Sequence, residues 1–167
     1  MDAAPILSRL AELFQRHGLE TVLIGNAAAA LLGAPITTVD IDFFFRETPA
    51  NRKKLTAIAS ELSAVLFRPY YPRIRMIRLM NDDRALQVDF LGEAHGIRSF
   101  EGLRARAQRI RLGDSDSELY VADLADIIKS KKAAGRPRDK AVLELLEKTL
   151  EETTRSKGQA RSSKKER

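Results

Sequence analysis

The sequence predicts an α+β (α/β) fold, a mixed sheet flanked by helices with a helical segment at its C-terminal end. Three observations carry that expectation. Helical and strand periodicities alternate through the first 66 residues, a group of short β-rich segments follows, and two apolar-periodic helices close the fold. A chain of 167 residues suits one domain. We assign that domain to residues 1–152, with its helical end from about 122, and residues 153–167 to a disordered basic tail.

Ile6, Leu7, Leu10, Leu13 and Phe14 recur at helical spacing, so residues 4–17 read as an amphipathic helix that His17-Gly18 stops. Val22-Leu23-Ile24 is a short buried strand running into Gly25. Asn26 opens an Ala-rich helix to Leu32, ended by Gly33 and Pro35. Residues 39–45, Val-Asp-Ile-Asp-Phe-Phe-Phe, read as a central strand, and a helix is expected over about 49–66. Arg73–Met80 and Ala85–Leu91 form a predicted hairpin through Asn81-Asp82-Asp83. A short helix at 100–107, strands near 108–112 and 118–121, and helices at 122–134 and 138–152 complete the reading.

Composition narrows the function classes. With no cysteine, disulfides, thiol catalysis and thiolate metal sites are excluded. No apolar run reaches bilayer length and no basic-then-apolar start is visible, so no membrane association is expected and the cytoplasm is the expected location. The net charge of +6 is uneven: residues 153–167 hold six Lys/Arg and one Glu, while residues 1–152 hold 23 Lys/Arg against 22 Asp/Glu. The folded part is close to neutral, and any electrostatic attraction to nucleic acid belongs to the tail.

Two carboxylates do not fit an apolar strand. Asp40 and Asp42, two residues apart, point to one face about 7 Å apart along the backbone. Asp89 repeats the anomaly inside Leu86-Gln87-Val88-Asp89-Phe90-Leu91. Unpaired, such groups cost several kcal/mol through lost hydration and mutual repulsion; a divalent cation or a cluster of Lys/Arg resolves the conflict. Three hard oxygen donors suit Mg²⁺ or Mn²⁺. The plainer alternative places them at strand ends, at edges, or paired to arginine. Gly25-Asn26, between strand and helix, supplies outward backbone N–H groups suited to an anion.

Leu23-Ile24-Gly25-Asn26-Ala27-Ala28-Ala29, followed by Gly33, Thr38 and Asp40-Ile41-Asp42, resembles the signature of the DNA polymerase beta-type nucleotidyltransferase superfamily. Within it the sequence looks most like the small bacterial minimal nucleotidyltransferases and the AbiEii-type toxins of toxin–antitoxin systems. Asp89 matches their third acidic position, and Lys131-Lys132-Ala133-Ala134-Gly135-Arg136-Pro137-Arg138-Asp139 is similar to their C-terminal segment. The matched stretches span roughly residues 20–145.

The resemblance implies a nucleotidyltransferase-like sheet and transfer of a nucleotide from a nucleoside triphosphate to an acceptor hydroxyl on RNA, such as tRNA, or on protein, with an antitoxin as a further partner. Asp40, Asp42 and Asp89 would be catalytic and hold Mg²⁺ or Mn²⁺. Gly25, Asn26, Thr38 and Lys131 would bind the nucleotide. A binding module of the same fold with weak or no transfer is the alternative, motivated by Asn26 and Ile36 where relatives carry Gly/Ser and Arg. A carboxylate-metal nuclease is a third. Arg136 and Asp139 read as an interhelical turn, His17 and His95 as structural or solvent-facing, and Arg73, Arg75 and Arg78 as partners of surface acids or of a nucleic acid.

Overall fold

The computed structural model describes residues 4–69, 75–113 and 116–165. Among them run α1 (Ala4–His17), β1 (Thr21–Ile24), α2 (Gly25–Leu31), β2 (Ile41–Phe45), α3 (Pro49–Glu61), β3 (Val65–Phe67), β4 (Met76–Asn81) and β5 (Leu86–Leu91). Then follow α4 (Phe100–Arg106), β6 (Gln108–Arg111), β7 (Glu118–Val121), α5 (Leu124–Ala134) and α6 (Pro137–Lys165). The strands form one sheet in the order β3-β4-β5-β2-β1-β7-β6, placing β2 at the centre. The sheet is mixed: β2 lies parallel to β5 and antiparallel to β1, and β1 is parallel to β7. The expected mixed sheet flanked by helices is the fold observed.

Strand β2 shows how the sequence builds both faces. Alternation sends Ile41, Phe43 and Phe45 to one side and Asp42 and Phe44 to the other. Phe43 and Phe90 stack at 5.7 Å, and Phe14 of α1 meets Phe43 edge-on at 4.9 Å, so the first face is an aromatic core beneath α1. On the second face Phe44 stacks on Phe100 of α4 at 6.2 Å. Beyond it the same face carries Asp42. The carboxylate therefore stands on a rigid platform of buried rings.

Three expectations change. The helix expected to 66 ends at Glu61: Ser63 takes a left-handed φ of +51°, and Asn81 Nδ2 donates to the carbonyls of Leu62 (3.2 Å) and Ser63 (2.8 Å). The chain is thereby freed to add β3 as an edge strand on β4, a pairing that local periodicity does not encode. Strand β2 starts at Ile41, so Asp40 precedes it and is exposed. Finally, α6 continues to Lys165 instead of stopping near 152. Its Leu146 is fully buried, whereas Thr154, Arg155 and Ser156 are exposed. Tyr70, Tyr71 and Arg73 lie outside the described residues. No helix among the described residues is long and apolar enough to cross a membrane.

Candidate active site

Register assembles the site. Asp42 of β2 lies opposite Asp89 of β5, and Asp89 lies opposite Arg78 of β4. Directly paired residues share a face, so Arg78, Asp89 and Asp42 form a row across three adjacent strands, at about 4.8 Å per strand. Arg78 Nε donates to Asp89 Oδ1 and Arg78 Nη2 to Asp89 Oδ2, each at 2.7 Å. This two-point contact is what allows a carboxylate only 8% exposed to remain on an apolar strand.

The row opens into a cleft of about 670 Å³. Gly25, Asn26, Thr38, Asp40, Asp42, Asp89 and Lys131 all line it. The strand-to-helix turn approaches the acid row so closely that only glycine fits: Gly25 sits at φ +71°, and a Cβ there would lie 2.9 Å from Asp42 Oδ2. Asn26 follows with a buried Oδ1 that has no hydrogen-bond partner among the described residues. Thr38 Oγ1 accepts from the backbone N–H of Asp40 at 3.1 Å, fixing the turn that delivers Asp40 to the strand.

Charge in the cleft is divided. Burial pushes the Asp42 carboxyl up to about 6, and the neighbouring charges of Asp89 and Asp40 push the same way. Arg138 and Lys131 oppose them from the far wall. Lys131 is held in place by Asp139, at 3.4 Å, and Arg136 Nε donates to the same carboxylate at 2.6 Å. Burial works against ionisation of Asp139, yet Arg136 and Lys131 together keep its carboxyl below the ordinary range. With its side chain 2% exposed, Asp139 ties the last turn of α5 to the first turn of α6.

The sequence matches, over residues 3–166, the family described as nucleotidyl transferase of unknown function (DUF2204). The chain belongs to this family. No curated protein matches the sequence. Among solved structures, the antibiotic-resistance factor ANT(2'')-Ia is similar with 16% identity and a TM-score of 0.57, over 99% of this chain and 97% of that one. The lincosamide antibiotic adenylyltransferase LnuA is similar with 12% identity and a TM-score of 0.60, over 88% and 96%. A nucleotidyltransferase structure from Thermotoga maritima shows 20% identity and a TM-score of 0.57, over 89% and 92%. At these identities the likeness establishes the fold, and the family match makes the chain a nucleotidyltransferase.

Two arginines of this nucleotidyltransferase's cleft, Arg78 and Arg138, are not among the expected site residues. Arg138 stands in the first turn of α6, where a cation opposes the helix macrodipole. That local cost was the available clue. Arg78 pairs with an acid, as the default expectation has it, but the acid is the buried Asp89, the arginine pairing that the plainer alternative for Asp89 allows. Arg75 pairs with acids, 3.3 Å from Glu93 and 3.8 Å from Glu47. His95 lines the cleft, and His17 pairs with Glu61 at 2.6 Å far down the chain's first helix.

Two hard oxygen donors, Asp40 and Asp42, line the cleft of the nucleotidyltransferase. Burial, with the charges of Asp89 and Asp40 beside it, raises the proton affinity of Asp42. Among the described residues no three of His, Cys, Asp or Glu are already grouped to hold a metal ion. Both oxygens of Asp89 are engaged by Arg78.

Proposed function

We propose that the chain is a Mg²⁺- or Mn²⁺-dependent nucleotidyltransferase that moves a nucleotide from a nucleoside triphosphate to an acceptor hydroxyl on RNA or protein, in the manner of the toxins it resembles. The observation that carries the reading is the meeting of Gly25, Asp42, Asp89 and Lys131, from four separate elements, in one cleft. Gly25 and Asn26 would receive phosphate oxygens through backbone N–H groups and the Asn26 side chain. Thr38 would add a hydroxyl at the triphosphate. Lys131 and Arg138 would offset the charge developing on the transferred group.

Asp40 and Asp42 would hold the divalent ions, and Asp89 would complete the set and accept the acceptor hydroxyl's proton. When bound, such ions stabilise the attacking and leaving oxygens of an in-line displacement. The balance of atoms is simple: the acceptor oxygen bonds to the α-phosphorus, the bond to the β-phosphate bridge breaks, and pyrophosphate leaves. An antitoxin would be a further partner of a chain used as a toxin. The ANT(2'')-Ia structure in complex with adenylyl-2''-tobramycin and the lincomycin-bound LnuA add a small-molecule acceptor to the set worth assaying.

The arginine clamp on Asp89 favours a second reading, a nucleotide- or RNA-binding module with weak transfer. One experiment separates them. The chain is incubated with Mg²⁺ and each labelled nucleoside triphosphate, with total RNA, cell lysate or antibiotics as acceptors. Label transfer that is lost in Asp42→Ala supports the enzyme. Triphosphate binding without transfer to any acceptor supports the module and sinks the transferase.

A further inference from the structure

The near-neutral sum over residues 1–152 hides a local excess. Residues 62–81 hold four arginines, Arg68, Arg73, Arg75 and Arg78, and no Asp or Glu. This stretch supplies β3 and β4, the edge of the sheet beside the acid row. Register carries that row one strand further. Phe67 lies opposite Arg78, so Phe67, Arg78, Asp89 and Asp42 share one face across four strands. Phe67 is thus two strands, about 10 Å, from Asp89. Val65 shares that face of β3, whereas Leu66 between them packs against the core. Val65 is 62% exposed and Phe67 39% exposed. With Val39, one residue before Asp40, they are the exposed large apolar side chains among the described residues, so this apolar surface flanks the acids.

Cations stand beside the apolar shelf. Arg68 follows Phe67 directly and pairs with Glu47, which Arg52 at 3.7 Å and Arg75 at 3.8 Å also approach. The Glu47 side chain is 7% exposed, while the three arginine side chains are 49–65% exposed. One hidden carboxylate thus gathers three guanidinium groups that face solvent, and Arg75 reaches Glu93 as well.

We propose that this face docks the acceptor: an unpaired base of a single-stranded RNA stacks on Phe67, and the neighbouring phosphates lie on Arg68, Arg52 and Arg75. An exposed ring beside arginines holds a single strand, the ring taking the base and the cations the backbone. The shared face gives a hydroxyl of the bound strand a short path along the row to Asp89 and Asp42. A second copy of the chain would find only three residues of strand edge to pair with. The inference rests on the nucleotidyl-transfer reading above and selects RNA among its acceptors.

The test is binding of a fluorescently labelled oligouridylate to the full-length chain, followed by anisotropy at two salt concentrations without triphosphate. Phe67→Ala should weaken binding ~10-fold, and Phe67→Tyr, which keeps a ring, should bind as wild type does. Phe67→Leu keeps apolar bulk without a ring and should fall with Phe67→Ala; it carries the test if Phe67→Ala melts below the assay temperature. Stacking releases no counterions, so the loss should be the same factor at both salts, unlike attraction by the basic C-terminal segment. Unchanged affinity in Phe67→Ala, wild-type affinity in Phe67→Leu, or no oligouridylate binding by the wild-type chain overturns the platform. A change of oligomeric state in Phe67→Ala, seen by sedimentation with RNA affinity intact, also overturns it, since the face would then meet a second copy. Label transfer that needs Asp42, with RNA affinity indifferent to Phe67, overturns this inference and leaves the transferase. RNA affinity that needs Phe67, without transfer to any acceptor, keeps the RNA face and sinks the transferase.

Discussion

Gly25 and Asp42 are a pair in which the backbone of one residue makes room for the side chain of the other. Gly25→Ala places a methyl carbon 2.9 Å from Asp42 Oδ2 at a φ of +71°. We expect a stability loss of ~1–3 kcal/mol, with loss of triphosphate affinity beyond what the melting change explains. Melting curves and a nucleotide titration on the same protein check this. Asp42 gives a pH prediction with a definite sign. Its carboxyl rises from the ordinary 3.8 to about 6, so the folded state holds a proton that the unfolded chain releases. The stability from that proton is full below 3.8 and is lost as pH rises through 6. In the ion-free protein, Asp42→Asn should match wild type near pH 4 and exceed it by about 2–3 kcal/mol at pH 8, an upper value because water reaches part of the group. Denaturant melts at the two pH values test it; a constant difference would show that Asp42 ionises at its ordinary value.

At the scale of elements, the cleft is a joint between the sheet and the α5–α6 corner. One wall is the loop after β5, which docks on α5 through Gly96. That glycine has φ +71°, and a Cβ would stand 3.0 Å from the Lys129 carbonyl and 3.1 Å from Ala133 Cβ. Gly96→Ala should therefore push the loop from the helix that carries Lys131. We expect destabilisation of ~1–3 kcal/mol and faster amide exchange over residues 92–97, with β1 and β2 unchanged. Exchange spread evenly over the sheet would contradict this local account. The corner is pinned by Asp139, whose two cationic partners come from α5 and from the turn before α6. The reading of Arg136 and Asp139 as an interhelical turn agrees with these bonds. The added hold on Lys131 depends on two helices meeting and has no trace in local spacing.

For the whole molecule, charge is divided between a nearly neutral domain and a basic end. Removing residues 153–167 lowers the net charge from +6 to +1. Thr154, Arg155 and Ser156 are exposed and the sequence from 153 onward has no apolar stripe, so it offers the fold little to pack. Truncation at 152 should leave the melting temperature within about 2 °C while reducing both RNA affinity at low salt and its salt dependence. A filter-binding titration at two salt concentrations would show otherwise if affinity were unaltered. Much was already legible in the chain. Strict 3.6-residue periodicity in Leu7, Leu10 and Phe14 specified α1, and the acids set among Ile41, Phe43, Val88 and Phe90 marked the site, because an ionised group in an apolar strand demands a reason. Local sequence thus determined the helices, every strand but β3, and the anomalous carboxylates. Only the tertiary structure decided that α3 stops for Asn81, that Arg78 answers Asp89, and that Arg138 and Lys131 face Asp42. Those outcomes depend on strand order and register between segments far apart in the chain, where pairing energy is set by neighbours that no local pattern names.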